Sequence, residues 1–209
     1  MPEKALAFAE DLYRLSDNQG SAFWAMTAEL ARGAALIQAG TGDAVGALVA
    51  ARHRFMETGG RQHLPIVLAF EAVGYTALGR AAESMNSLAE AHQELEDTKQ
   101  HFYAPAVWLA SAQHHLQFGQ PDEAERCSLK AIEVAQAQQS RMWHLRAAIG
   151  LARFWSGRGR VAEAGGVLIP IYRSFTEGFD TPDLAEARTA ANSCGQSWLG
   201  RRNNLGRSR

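Results

Sequence analysis

Cysteine is nearly missing from this chain of 209 residues: Cys127 and Cys194 are the only two. Two thiols cannot build a disulfide framework, and a reducing, cytoplasmic setting is the expectation that follows. Lysine is almost as scarce, with three against eighteen arginines. Val, Ile and Thr together number 22 against 38 alanines, a balance that favours helix and counts against a large sheet. Long apolar runs are also lacking. The longest stretch free of Asp, Glu, Lys and Arg, Gln100 to Pro121, contains His101, Gln113, His114, His115 and Gln117, too many polar groups for a membrane span. Glu3, Glu10 and Asp11 interrupt the first apolar segment, so no secretory signal is expected. The net charge is −1; removing Arg201, Arg202, Arg207 and Arg209 leaves −1 − 4 = −5 for residues 1–200. Such a chain carries no general field for nucleic acid or an anionic membrane.

What the sequence does have is a repeat. Gly40, Gly79, Gly119 and Gly159 recur at intervals of 39, 40 and 40. A small residue follows each glycine, at Ala44, Ser84, Ala124 and Ala164; then come Leu48, Leu88, Ser128 and Leu168, and Ala51, Ala91, Ala131 and Ile171. Upstream, the same register gives Gly33, Ala72, Ala112 and Ala152, then Leu36, Tyr75, His115 and Trp155. Agreement at so many offsets defines an array of similar units.

Each unit reads as helix, glycine turn, helix. Apolar residues at i, i+3, i+4 and i+7 predict first helices over Ala22–Ala39, His63–Leu78, Phe102–Phe118 and Arg141–Ser156. Second helices are predicted over Asp43–Glu57, Ala82–Thr98, Asp122–Gln139 and Val161–Phe175. The glycine supplies the left-handed residue that ends a helix, and Pro121-Asp122-Glu123 starts the next one. The arrangement resembles the tetratricopeptide pattern, with Trp108, Ala112, His115 and Ala124 fitting one copy, and Leu151, Ala152, Trp155, Ala164 and Leu168 another. The expected fold is therefore an all-α solenoid of about four helical hairpins with a period of 40. Ala5–Leu15 reads as the second helix of a hairpin, a half-hairpin at the N-terminal end. Thr181-Pro182-Asp183 starts a C-terminal capping helix of about ten residues. The domain covers residues 1–191, and the Gly-, Ser-, Asn- and Arg-rich segment 192–209 is expected to be a disordered basic tail.

The run Leu145–Trp155, then Gly159–Ala164, and above all Phe175-Thr176-Glu177-Gly178-Phe179-Asp180-Thr181-Pro182-Asp183-Leu184, closely resembles one bacterial family. It is similar to the C-terminal tetratricopeptide region of large signalling ATPases, which are often fused to a class III adenylate or guanylate cyclase domain or to a winged-helix DNA-binding domain. Ala7–Trp24 and the segment from Met56 to Pro65 resemble upstream parts of that region, so the likeness spans roughly residues 5 to 190. It implies a regulatory, non-catalytic arm of a signalling protein, with the catalytic domains N-terminal to it. The basic tail departs from the family pattern. A fragment, a truncated gene and a stand-alone descendant are all compatible with these residues.

Catalytic equipment is not visible. There is no G-x₄-G-K-[ST] loop and no G-x-G-x-x-G after a strand; Gly40-Thr41-Gly42 and Gly157-Arg158-Gly159 are turn glycines of the repeat. His114 and His115 are adjacent and diverge on a helix, and His92, His101 and Cys127 lack metal-ligand spacing. No nucleophile motif surrounds Cys194, and no serine sits in a G-x-S-x-G elbow. No enzyme activity, cofactor, metal or small-molecule substrate is expected. Trp24, His63, Tyr103 and Trp143, spaced 39, 40 and 40, read as a row capping the hairpins or as an aromatic ledge for a partner.

In a solenoid of this kind the first helices line a groove. The register assigns to it Leu30, Ile37, Ile66, Val73, Leu109, Gln113, Arg146 and Arg153: mostly apolar, with one basic end. Such a groove suits an amphipathic helix or peptide, or the remainder of a larger ATPase. The competing readings are a free-standing adaptor and nucleic-acid contact through the Arg-rich tail, although no base-reading element accompanies that tail.

Overall fold

The computed structural model describes residues 2–41, 44–99 and 101–194. Gly42, Asp43, Gln100 and the Arg-rich segment 195–209 lie outside the described residues, and with them most of the expected basic tail. Among the described residues the chain has ten α-helices, one short 3₁₀ turn (His101–Tyr103) and no strand. The helices are α1 (Pro2–Asn18), α2 (Ala22–Gln38), α3 (Ala44–Glu57), α4 (Leu64–Ala77) and α5 (Ala81–Thr98), followed by α6 (Ala104–Gln117), α7 (Pro121–Ala137), α8 (Arg141–Ser156), α9 (Val161–Arg173) and α10 (Pro182–Ser193).

Two compact units divide the chain between Ala131 and Ile132. In the first, α1 packs on α2, α2 on α3 and α4 on α5, while α4 also lies against both α2 and α6. In the second, α8 pairs with α9, and α10 packs on both.

The hairpins follow from two local devices. One is the turn. Gly40, Gly79, Gly119 and Gly159 all have φ between 72° and 80°, a region that costs a residue with a Cβ about 1–2 kcal/mol. The next residue donates its N–H back across the turn to the carbonyls of Leu36, Tyr75, His115 and Trp155, at 2.8–3.1 Å. These bonds satisfy carbonyls that a helix end leaves free. Side chains just past the glycine reach back over the same row. Arg80 lies 4.8 Å over the Tyr75 ring and Arg160 lies 4.6 Å over Trp155, while Gln120 bonds His115 at 2.6 Å.

The other device is the close crossing. A Cβ on Gly33 would stand 3.0 Å from Leu48 Cβ, and one on Gly74 would stand 3.0 Å from Val45 and 3.2 Å from Ile37. Ala72, Ala112 and Ala152 continue the small row, and Leu48, Leu88 and Leu168 the large one, all of them buried. In the first unit these rows are joined in the core by Phe55, Leu64, Leu68 and Val107, and in the second by Leu145 and Leu151.

The turns between hairpins hold a feature that composition conceals. Gly20, Gly59, Lys99 and Gln139, spaced 39, 40 and 40, are all left-handed, with φ of 64°, 79°, 56° and 54°. The glycine signal therefore covers only half of this second row. At the C-terminal end, α10 runs to Ser193, and Cys194 is buried with its Sγ 3.3 Å from the Ala190 carbonyl. Residues 192 and 193 thus belong to α10 and Cys194 is buried, where sequence composition pointed to a tail.

One charged pair sits inside the first unit. Arg52 on α3 donates from Nε to Glu71 Oε1 on α4 at 2.7 Å and from Nη1 to Glu90 on α5 at 3.3 Å. The Glu71 side chain is 1% exposed. Burial pushes its carboxyl above the ordinary 4.5, against the lowering effect of Arg52, so desolvation outweighs the attraction of the ion pair.

Two stability experiments follow. Gln139→Gly removes left-handed crowding worth about 1–2 kcal/mol at an entropic cost of about 0.5–1 kcal/mol. Its thermal midpoint should rise by a few degrees, and a midpoint at or below wild type would contradict the strain. Arg52→Met alone should lose about 3–5 kcal/mol by stranding Glu71, whereas Arg52→Met/Glu71→Leu should recover most of that loss. Urea unfolding of both variants measures the difference.

Candidate functional site

The predicted groove residues fall into three environments. Leu30 and Ile37 on α2 are core residues, 4% and 7% exposed, and Ile37 packs toward Gly74 of α4. Ile66 and Val73 on α4 and Leu109 on α6 are half-buried, and Gln113 on α6 is exposed. Because α4 and α6 lie side by side, these four residues and the exposed Leu116 give the first unit an apolar face with polar neighbours.

Arg146 and Arg153 belong to the second unit, where α10 occupies their charges. Arg146 donates from Nε and Nη2 to the two carboxylate oxygens of Asp183, at 2.7 and 3.1 Å, and lies 5.0 Å over the Trp143 ring. Arg153 pairs with Glu186 at 2.5 Å. Asp183 opens α10 just after Thr181-Pro182, so the sequence signal that starts the helix also supplies the acid for Arg146.

His63, His92 and His114 are engaged in packing. His114 is buried, with Nδ1 2.9 Å from Ser84 Oγ. Ser84 Oγ also lies 2.8 Å from Thr76 Oγ1 and 3.1 Å from the Ala72 carbonyl. Ser84 has one proton and the carbonyl can only accept, so with that proton on Ala72 both Thr76 and His114 act as donors. The cluster joins α4, α5 and α6. His92 lies 3.3 Å from Ser111 Oγ with its ring 4.5 Å from Trp108. His63 and Tyr103, forty residues apart in the aromatic row, are hydrogen-bonded at 2.9 Å, whereas Trp24 in the same row is 52% exposed. Among the described residues no group of three or more His, Cys, Asp or Glu could hold a metal ion. Among the described residues no helix is long and apolar enough to cross a membrane.

The sequence reading missed a cleft of about 510 Å³ at the start of the first unit. Ala9 of α1, Ala28 of α2, and Ala47 and Ala51 of α3 line it, with Glu29, Arg32 and Arg54 among its charged residues; Arg54 pairs with Glu29. At the register positions of Ala28-Glu29 the following units carry Val67-Leu68, Val107-Trp108 and Ala147-Ala148, the last pair fully buried, so the repeat pattern alone does not mark the cleft.

No protein-family model matches this chain, and no curated protein does.

The buried histidines set a pH dependence. Burial holds the His92 and His114 imidazoles below the ordinary 6.5, with neighbouring His115 adding to the effect at His114. The unfolded chain then takes up protons before the folded one, so stability is full above about pH 6.5 and falls as the pH drops below it. Glu71, shifted upward, acts in the opposite sense above 4.5. The decisive comparison is therefore between wild type and His114→Gln. The loss of urea midpoint between about pH 7.5 and pH 5.5 should be smaller in the variant, and equal losses would remove His114 from the account.

Proposed function

We propose that this chain is a non-catalytic protein-interaction module, a tetratricopeptide-like repeat similar to the regulatory arm of cyclase-linked or transcription-linked signalling ATPases. The observation that carries the reading is the outward apolar face of α4 and α6. Ile66, Val73 and Leu109 are half-buried on two neighbouring first helices, and Leu116 on the second of them is exposed. A face of this kind takes the apolar side of a partner helix or peptide. The repeated left-handed turns and the small-against-large crossings support the tetratricopeptide-like assignment, and the signature from Phe175 to Leu184 supports the signalling context. Arg146 and Arg153 act in this reading as anchors for α10, and the recognition face is centred on α4 and α6.

The test is a pull-down from extract of the source organism with wild type and Ile66→Asp/Val73→Asp, both checked for helix content by circular dichroism. A partner retained by wild type and lost, by about tenfold or more, from the folded double variant is the expected result. Equal recovery from both would remove this face as the binding surface.

A further inference from the structure

From each second helix to the first helix that follows, the register pairs two side chains nineteen residues apart. Arg52 and Glu71 form such a pair between α3 and α4 at 2.7 Å, and Glu90 of α5 joins them at 3.3 Å. His92 and Ser111 form the next between α5 and α6, also at 3.3 Å. Ile132 and Leu151, the pair after that, are both buried. The row begins with Tyr13 on α1 and Arg32 on α2, and there it is open. Tyr13 is 46% exposed, Arg32 is exposed, and among the described residues Arg32 makes no hydrogen bond or ion pair.

Both side chains line the cleft of about 510 Å³ between α1, α2 and α3, which lies wholly within the first unit. Small-ligand sites span about 300–1,000 Å³ and combine an apolar body with a few convergent polar groups. Here the apolar part is Ala9, Ala28, Gly33, Ala47 and Ala51, and Tyr13 is the one ring. The charges are unevenly matched. Arg54 is taken by Glu29. Where Arg52 meets Glu71 and Glu90, the same register positions in the cleft hold Tyr13, Arg32 and Ala50. No acid therefore arrives from α3 to meet Arg32, and α1 brings a phenol in place of an ion. A guanidinium only donates, and the Tyr13 hydroxyl can donate as well, so the group they share is an acceptor. Glu10 and Glu29 stand in the same walls and repel a second negative charge, which favours a carboxylate over a phosphate.

We propose that the cleft between α1, α2 and α3 binds a small aliphatic monocarboxylate, its carboxylate held by Arg32 and the Tyr13 hydroxyl and its chain lying on Ala9, Ala28, Ala47 and Ala51. The walls offer methyl groups and no ring face beyond Tyr13, so a saturated chain is the body that fits them. The site is separate from the α4–α6 face, and either can fail without the other.

Calorimetric titration of the full chain with octanoate tests it. Wild type should bind octanoate saturably and one to one. Arg32→Met should weaken binding by about tenfold or more, and Tyr13→Phe by about three- to tenfold. Glu10→Gln should strengthen it, because a like charge leaves the wall. Ala47→Leu should abolish it: Ala47 is exposed, so the added bulk enters the cleft and not the core, and circular dichroism should stay that of wild type. Arg32→Met keeps the test decisive if Ala47→Leu fails to fold. Octanol, with the same chain and no charge, should bind about tenfold more weakly or worse, and octyl phosphate should also bind more weakly than octanoate. Ile66→Asp/Val73→Asp should leave octanoate binding unchanged. No saturable binding, equal binding of octanol, or wild-type affinity in Arg32→Met would overturn the proposal. Octyl phosphate binding as tightly as octanoate would overturn the choice of a carboxylate, and loss of octanoate binding in the folded Ile66→Asp/Val73→Asp variant would overturn the choice of this cleft.

Discussion

In the α2–α3, α4–α5 and α8–α9 hairpins the helix spacing turns on one contrast: a small residue on the first helix against a large one on the second. At Gly33 and Leu48 there is no spare room, since even a methyl group on the glycine would press on the leucine's own Cβ. Ala72, Ala112 and Ala152 relax the contact by one carbon, and Leu88 and Leu168 keep the large side of it in place. Interiors are packed so densely that such a contact cannot be widened without leaving a void. Once that spacing is fixed, so is the face each helix turns outward. The outward placement of Ile66 and Val73 on α4 follows from where the crossings fall.

Much of this was legible before any coordinates. The 40-residue register located the hairpins because both of its devices use residues with distinctive chemistry: glycine for the left-handed turn, and Gly or Ala for the crossing. The predicted and observed helix ends agree within one or two residues for most helices. Where the physical requirement can be met by ordinary residues, the signal vanished. Lys99 and Gln139 adopt the left-handed turn with no compositional mark, and the fold tolerates their strain because the flanking helices are held elsewhere. Arg52 and Glu71 were just as hidden. Two charged residues nineteen positions apart announce nothing until the α3–α4 crossing brings them to 2.7 Å.

The candidate site was partly legible for the same reason. The register indicates which helix face a residue occupies, and it placed Ile66, Val73, Leu109 and Gln113 on outward or half-outward positions. It does not say what else lies over that face. Leu30 and Ile37 obey the register and are nonetheless core, because α2 and α4 lie against each other. Arg146 and Arg153 looked like the basic end of a groove, yet Asp183 and Glu186 complement them from the next helix. The cleft near Ala28 has no mark in the register, since the fourth unit carries Ala147-Ala148 at the same positions and buries both.

The polar cluster of Thr76, Ser84 and His114 and the Arg52–Glu71 pair bear on how such a chain avoids assembling itself wrongly. Units alike in turn, crossing and helix length can exchange neighbours during folding, because α3 would find in α6 much the same small-residue row that it finds in α4. The buried polar groups break that equivalence. Set against α6, Arg52 would meet Ser111 at the register position of Glu71, and a guanidinium would be shut away without its counter-charge. Ser84, set against α2 or α6, would meet Ile37 or Leu116 at the register position of Thr76 and lose that hydroxyl partner. Each such mispairing leaves desolvated groups without partners. The interior polar residues of this alanine-rich chain thus act as an address for each hairpin, steering it to its own neighbour among several that would pack almost as well.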